Sequence, residues 1–481
     1  MTPPDGTVEL SEPGAMVGAR RPSGPVSVRG LVFPLLLGST AALLLGVIAA
    51  AFLATGPWAW AVGLVYIAYD TWLLSSMVRA SRLALGELMA PRPVPEGPLP
   101  TVAVLIAARD EREVLPATLE HVRAQRELAD EVWIIDDGST DDTLEVLRER
   151  YAVTMRGAIG QSATLPWLKV LSKPNSGKAR SLNQALEHVK SELVVTLDAD
   201  TLLEPDAIVE VKRAFKLRPE LAAGCGVLRP ICRGEAPVAR AFQLYQTFEY
   251  LRGFLWRLAW MRDDTLVLVS GAFAMFRRSV LDEAGGFDPH SRVEDYELLF
   301  RLHKRALEGG HALKVAVLGE ARASTDAPAS LPAFFKQRTR WFAGFIETMF
   351  RHRAMVGNRR YGRLGTYHLI VKTIDTLLPL YGLGAFASLV VFLATGKRLD
   401  PIILTALVFK FGFDLACHGL CVFFYSRWQK GDAPWRSLGK SLLATFTEPF
   451  AFQLFRQVGA LLGWIAFLRG RIEWARRTAH G

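Results

Sequence analysis

The sequence predicts an α/β domain, a parallel sheet with crossover helices, set between membrane-spanning helices on both sides. Three observations predict it. Apolar runs long enough to cross a bilayer occupy Leu31 to Leu53 and Trp58 to Met77 before the domain, and Leu369 to Leu393 and Ile402 to Tyr425 after it. Between them, short β-branched runs alternate with segments of helical spacing. Polar clusters rich in carboxylates follow directly on those runs, where an open α/β sheet binds its ligands.

The 481 residues are 50% hydrophobic and carry a net charge of +10. A basic balance fits nucleic acid, but it also fits cytoplasmic loops rich in Lys and Arg beside membrane spans. The spans give the excess a topological cause, so no nucleic-acid partner is expected. Cys225, Cys232, Cys417 and Cys421 have the spacing of neither a disulfide framework nor a zinc site, and read as packing residues.

In chain order, residues 1–30 are rich in Pro, Gly and Ser and are expected to be disordered. Residues 31–80 read as a helical hairpin broken at Gly56-Pro57, and a cleaved signal peptide is not expected because a second span follows at once. Arg20, Arg21 and Arg29 flank one end and Arg79 and Arg82 the other, which puts both flanks in the cytoplasm. Residues 81–100, ending in PRPVPEGPLP, read as a stiff linker. The α/β domain is expected over 101–325, with strands at Val102 to Ala107, Val132 to Ile135 and Leu193 to Leu197 and helices near 111–125 and Thr143 to Arg150. Residues 238–260 and 332–352 are amphipathic and either face the core or lie in the membrane interface, the interface being preferred; 326–367 are assigned as interfacial helices. Residues 368–470 form the second membrane region. Its last stretch, Leu442 to Leu468, is interrupted by Glu448-Pro449 and Arg456 and reads as a hairpin or interfacial pair, which keeps the basic tail at 471–481 cytoplasmic. Lys410 with Asp414, and Lys372 with Asp375, read as helical neighbours that neutralise one another or as a polar lining for an emerging glycan; Arg456 has the same two readings.

Four clusters carry chemistry. Asp136-Asp137-Gly138-Ser139-Thr140 follows the strand VWII, where carboxylates accept hydrogen bonds from a ribose or base; a solvated turn with Asp141 capping the next helix explains it equally well. Asp198-Ala199-Asp200 follows LVVTL, and two carboxylates at that spacing reach one hard cation, Mg²⁺ or Mn²⁺, shared with substrate phosphates. Glu294-Asp295 opens a helical segment and supplies a candidate base, although acids at a helix N-terminus need no further reason. Gln337-Arg338-Thr339-Arg340-Trp341 offers a guanidinium fork for a diphosphate and a flat face for a sugar; an interfacial helix with snorkelling Arg and anchoring Trp accounts for it as well.

Taken together, the order of these clusters resembles the family-2 glycosyltransferases of the processive membrane type. These include cellulose, chitin and hyaluronan synthases and bacterial poly-N-acetylglucosamine synthases. The resemblance covers roughly residues 31 to 477. Its most specific element is Gln-x-x-Arg-Trp at 337–341, arriving after Asp-x-Asp and Glu-Asp. Gly177-Lys178 with Ser181-Leu182-Asn183, the run SGAFAMFRRSVL and Gly285-Gly286-Phe287 add to it. It implies a Rossmann-like GT-A catalytic domain that is cytosolic, in a multi-pass protein of the cell (inner) membrane. It implies that Asp136 and Asp137 hold the uracil and ribose, and that Arg109 and Glu111 line the base pocket, at the place where the family usually carries an Asn-Glu pair. Lys178 would approach the nucleotide and Asp198 the donor; Asp200, with Asp198, would bind the metal. Asp295, beside Glu294, would be the general base. Arg340 would hold the diphosphate, and Gln337 and Trp341 the acceptor sugar. Val293 stands where many relatives have Thr or Gly.

The implied reaction is inverting transfer from a UDP-sugar to a growing β-linked polysaccharide, with a glycan or lipid-linked acceptor, membrane lipid around the spans and an export partner protein if these spans make no pore alone. Two other readings stay open: transfer of one sugar to a lipid or short acceptor, and a transporter or receptor with a nucleotide-binding domain. The Glu294-Asp295 pair argues against the last, since binding alone needs no base. No residue identifies the sugar.

Overall fold

The computed structural model describes residues 31–89, 93–396, 399–428, 439, 443, 444, 446–448 and 451–470. The tails expected at 1–30 and 471–481, and the Pro449 interruption, lie outside the described residues. The chain begins with helix α1 (Val32–Leu53), a 3₁₀ turn at Gly56–Trp60 and helix α2 (Ala61–Met89). Helix α2 runs past the hairpin end expected at residue 80, because RASRLALGELM contains good helix formers and no stop signal before Pro91.

The domain follows as β1 (Val102–Ala108), α3 (Leu115–Arg123), β2 (Glu131–Asp137), α4 (Thr143–Tyr151), β3 (Val153–Arg156), β4 (Ile159–Ser162), β5 (Leu168–Lys173), α5 (Lys178–Leu186), β6 (Leu193–Asp198), β7 (Leu202–Leu203), α6 (Ala207–Leu217), β8 (Leu221–Ile231), α7 (Pro237–Arg262), β9 (Phe273–Arg277), α8 (Arg278–Ala284), α9 (Glu294–Glu308) and β10 (Lys314–Asp326). The strands form one sheet in the order β3-β4-β5-β2-β1-β6-β9-β8-β10-β7. Its centre is parallel, β5-β2-β1-β6, as the alternation of strands and helices predicts. The all-parallel expectation fails further out: β9 runs antiparallel to both β6 and β8. The chain enters β9 from the loop at Ser270 and Gly271, on the edge where β6 ends, so it must run back the other way. Helices cover both faces, which is why β1, β2 and β6 read as continuous apolar runs rather than alternating ones.

After the domain come α10 (Leu331–Arg351), a π turn at Leu364–His368, α11 (Leu369–Asp375), α12 (Leu378–Ala394), α13 (Pro401–Trp428) and α14 (Phe452–Leu468). The break between α11 and α12 is set by Pro379, which has no N–H to bond back to the preceding turn. Among the described residues, Val32–Leu53, Gly56–Leu83, Leu364–Ala394 and Pro401–Phe423 are long and apolar enough to cross a membrane. Leu45, Phe52 and Leu53 on α1 are 69%, 78% and 86% exposed, a surface that water would penalise and lipid accepts. The chain is a membrane protein. Helix α14 is shorter and lies along α10.

The spans and the domain share a core. Leu74 and Met77 of α2 and Cys421 and Val422 of α13 pack with Phe248, Leu251 and Leu255 of α7 and with the sheet, and Ser81 Oγ donates to Leu255 O at 3.0 Å. Helix α7 is therefore buried between sheet and spans, and the preference for the membrane interface at 238–260 is corrected. The four cysteines are free and buried, as their spacing implies. The charges within the spans are paired: Lys410 Nζ lies 2.7 Å from Asp70 and also bonds Asp414, and Lys372 Nζ lies 3.7 Å from Asp375.

Candidate active site

Sheet register puts the polar clusters on one edge. Ala108 of β1 pairs with Asp136 of β2, and Ala107 pairs with Asp198 of β6, so both strand-end acid clusters leave the sheet side by side. The turn after β1 is tied to the turn after β2. Asp110, at φ 57°, accepts Thr140 N–H at 2.6 Å, its own N–H donates to Ser139 Oγ at 3.0 Å, and Glu111 N–H donates to Thr143 Oγ1 at 3.0 Å. Arg109 Nε is buried without a hydrogen-bond acceptor, 3.7 Å from the Asp110 carboxylate.

Asp136 and Asp137 are buried, which removes the solvated-turn reading of that motif. Asp136 accepts from Ser172 Oγ at 2.9 Å and Ser139 N–H at 3.1 Å. Asp137 accepts Lys173 Nζ at 2.5 Å and the N–H groups of Ser176 and Gly177, each at 2.8 Å. Gly138 sits at φ +70°, and a Cβ there would meet Asn175 N at 2.7 Å, so only glycine lets the 174–177 loop close over the acids. Asp141 accepts Thr143 N–H at 3.0 Å just ahead of α4, but the N-cap position expected for it is held by Asp142, whose side chain makes no cap bond.

Lys178, at the start of α5, joins the second cluster to the third. Its Nζ bonds Asp198 and lies 3.6 Å from Glu294. Burial pulls its pKa down, but Asp198 and Glu294 outweigh burial and hold it above its ordinary value. Glu294 is buried and Asp295 is half-buried. Asp295 Oδ2 accepts Gly271 N–H at 2.6 Å and Oδ1 accepts Tyr296 N–H at 2.8 Å. Burial first, then the Glu294 charge, raise the Asp295 carboxyl to about 6. Asp200 accepts Thr325 Oγ1 at 3.1 Å; burial, then Asp198 and Asp326, push it up to about 7.

The fourth cluster crosses above the third. Gly344 of α10 lies so close to Val293 that a Cβ would approach Val293 Cγ2 to 2.7 Å, and Arg340 donates to Arg292 O at 3.3 Å. Gln337 Oε1 is buried without a hydrogen-bond partner. Trp341 lines a cavity of about 240 Å³ together with Tyr66, Asp70, Phe345, Asp375 and Arg456.

Sequence reasoning missed Lys173, whose pairing with Asp137 nothing local announces, and Thr325 and Asp326, which β10 brings beside Asp200. The only available signal was position: Lys173 ends a strand just before a Pro, as ligand-side residues of such sheets do.

A mixed sheet thus gathers buried acids and lysines at its strand ends, beside a helix that carries Arg and Trp. The model of the family described as glycosyltransferase like family 2 matches residues 100–344, and the chain belongs to that family and is a glycosyltransferase. Poly-beta-1,6-N-acetyl-D-glucosamine synthase of Staphylococcus aureus (strain COL) is 28% identical over 328 residues, 67% of this chain and 70% of the relative. The protein of the same name from Staphylococcus epidermidis is 26% identical over 295 residues, 61% of this chain and 66% of the relative. Among solved structures, the mannosyltransferase PcManGT from Pyrobaculum calidifontis, in complex with GDP-Man and Mn²⁺, superimposes with a TM-score of 0.51 at 20% identity, covering 81% of this chain and 99% of that one. It supports the GT-A-like fold.

Proposed function

We propose that the chain transfers a sugar from a UDP-sugar to the end of a growing β-linked polysaccharide at the cytoplasmic face of its membrane. One observation carries the reading: half-buried Asp295 stands beside Glu294, which Lys178 links to Asp198 at the strand ends. The Asp295 carboxylate accepts the proton of an acceptor hydroxyl, whose oxygen attacks the anomeric carbon as the bond to the diphosphate breaks. A base on one side and a leaving group on the other make a single displacement, with inversion. Two backbone N–H groups hold Asp295 in place for this.

Asp200 fits a cation: it is held among carboxylates that raise its pKa, a conflict which a divalent ion resolves. Among the described residues no three His, Cys, Asp or Glu side chains group closely enough to hold an ion alone. Mg²⁺ or Mn²⁺ commonly keeps one or two carboxylates and takes its other ligands from substrate phosphates. Asp200 with Asp198 would hold it, and when bound it neutralises charge on the departing diphosphate. Arg340 would grip that diphosphate, and Asp136, Asp137, Arg109 and Glu111 would shape the nucleoside pocket. Trp341 and Gln337 would hold the acceptor, a reading supported by the cavity against the Trp341 ring.

The test is purified protein with a panel of UDP-sugars, reading UDP release and product size. UDP-N-acetylglucosamine comes first, because the relatives are named as synthases of a polymer of that sugar. A polymer from one donor is the expected result. No UDP release from any donor overturns the reading, and release with a single-sugar product overturns its processive part.

A further inference from the structure

Arg338 and Arg456, which line the cavity against Trp341, belong to a buried ion cluster that the reaction above does not use. Glu249 of α7 accepts Arg338 Nη1 at 2.9 Å and Nη2 at 2.7 Å, a two-point grip. Arg456 of α14 reaches the same carboxylate with Nε at 3.5 Å and Glu448 with Nη1 at 2.9 Å. Arg252, one turn beyond Glu249 on α7, grips Glu448 at 3.1 and 2.7 Å. Glu249 and Arg338 side chains are 17% and 14% exposed, so both charges are largely out of water.

A buried ionic cluster is weak evidence for stability, because apolar side chains of the same volume hold helices together at least as well. What ions add is fixed direction. Here the direction has a target. The Arg338 guanidinium lies over the Phe334 ring and over the Trp341 ring, 4.7 Å from each centroid. Beside Arg456, helix α14 presses its backbone on this point at two glycines. A Cβ on Gly459 would come within 2.7 Å of Arg338 Cβ, and one on Gly463 within 2.7 Å of Phe342 Cβ. The backbone approach leaves Arg338 little room except toward Glu249 and Trp341.

We infer that Glu249 is a positioning residue for the acceptor: through Arg338 it sets the angle at which Trp341 meets the sugar at the end of the chain being extended. The inference rests on the reading of Trp341 as an acceptor residue. Burial raises the Glu249 carboxyl, but Arg338 and Arg456 outweigh it and hold it below its ordinary value. The bonds of Glu249 run to Arg338 and Arg456 and not to the strand-end acids, so its loss should act on one substrate and spare the other.

The experiment compares full-length Glu249→Gln and Glu249→Asp with the unaltered protein in lipid nanodiscs. The probes are UDP-N-acetylglucosamine as donor and a short β-1,6-linked N-acetylglucosamine oligosaccharide as acceptor. Glu249→Gln should raise the acceptor KM tenfold or more and shorten the products, while the donor KM stays within twofold. Glu249→Asp, which keeps the charge, should recover at least half of the lost acceptor affinity. Equal rises in both KM values, or no change in either, overturn the inference. If Glu249→Gln does not fold, the doubly neutral Glu249→Gln/Arg338→Met replaces it and must show the same split; a normal acceptor KM there overturns the inference as well. Inactivity of the unaltered protein with every UDP-sugar would instead count against the proposed function.

Discussion

The two halves of the cleft are built by different means. The proposed donor side is a set of turns whose places are dictated by strand register: Asp136 and Asp198 flank β1 because β2 and β6 pair with it residue for residue. The proposed acceptor side is a stack of helices, α7, α10 and α14, locked by glycine contacts and by ions from three separate stretches of chain. Short motifs therefore mark the strand-end acids, while the helical side depends on partners far apart in sequence. Chemistry at the donor side should fail by loss of single groups, and the acceptor side should fail by loosened geometry.

The largest expected effect lies where the halves meet. Asp295→Asn removes the base and should lower turnover by about 10²–10⁴-fold, the usual contribution of a positioned base, with UDP affinity retained. Near-normal turnover measured by UDP release would show that another group takes the proton. Next, the donor side is broken by Lys173→Met. It leaves the buried Asp137 carboxylate without its cation, and breaking such a pair costs roughly 3–5 kcal/mol. A lowered Tm with a raised donor KM is expected; an unchanged Tm would mean that the Ser176 and Gly177 N–H groups suffice. On the acceptor side, Gly463→Val forces α14 off Phe342 and should cost about 1–3 kcal/mol by overpacking, with the acceptor KM rising before the donor KM. The smallest effect is that of pH. Since burial and Glu294 raise Asp295 to about 6, its base form is lost as pH falls through that value. Below it the rate should drop about tenfold per pH unit. A profile flat to pH 5 would detach Asp295 from the rate.

Much of the donor side was legible because each cluster follows a β-branched run, and strand ends in such sheets face ligands. The Asp136-Asp137 motif lies at the end of β2, where the strand VWII puts it, but its state was not legible: its acids are buried, and Asp137 is bonded to Lys173 and the 176–177 backbone, contacts that reach from β2 to β5 and the loop after it. Asp70 shows the same limit. The helical spacing of Lys410 and Asp414 declared their pair, but nothing in the sequence says that Asp70, 340 residues away, reaches the same ammonium. The interface reading of α7 failed because amphipathicity states that one face is apolar and not whether lipid or protein covers it.

By itself the sequence determined the alternation of strands and helices, the apolar lengths that cross a membrane, and the order of the four polar clusters. These follow from local periodicity and from which residues can end a strand or a helix. Only the tertiary structure decided that β9 runs antiparallel, that the spans and the domain share one core, and that Glu249 reaches Arg338. Those outcomes depend on which surfaces exclude water together, and residues far apart in the chain meet only when the whole core closes around them.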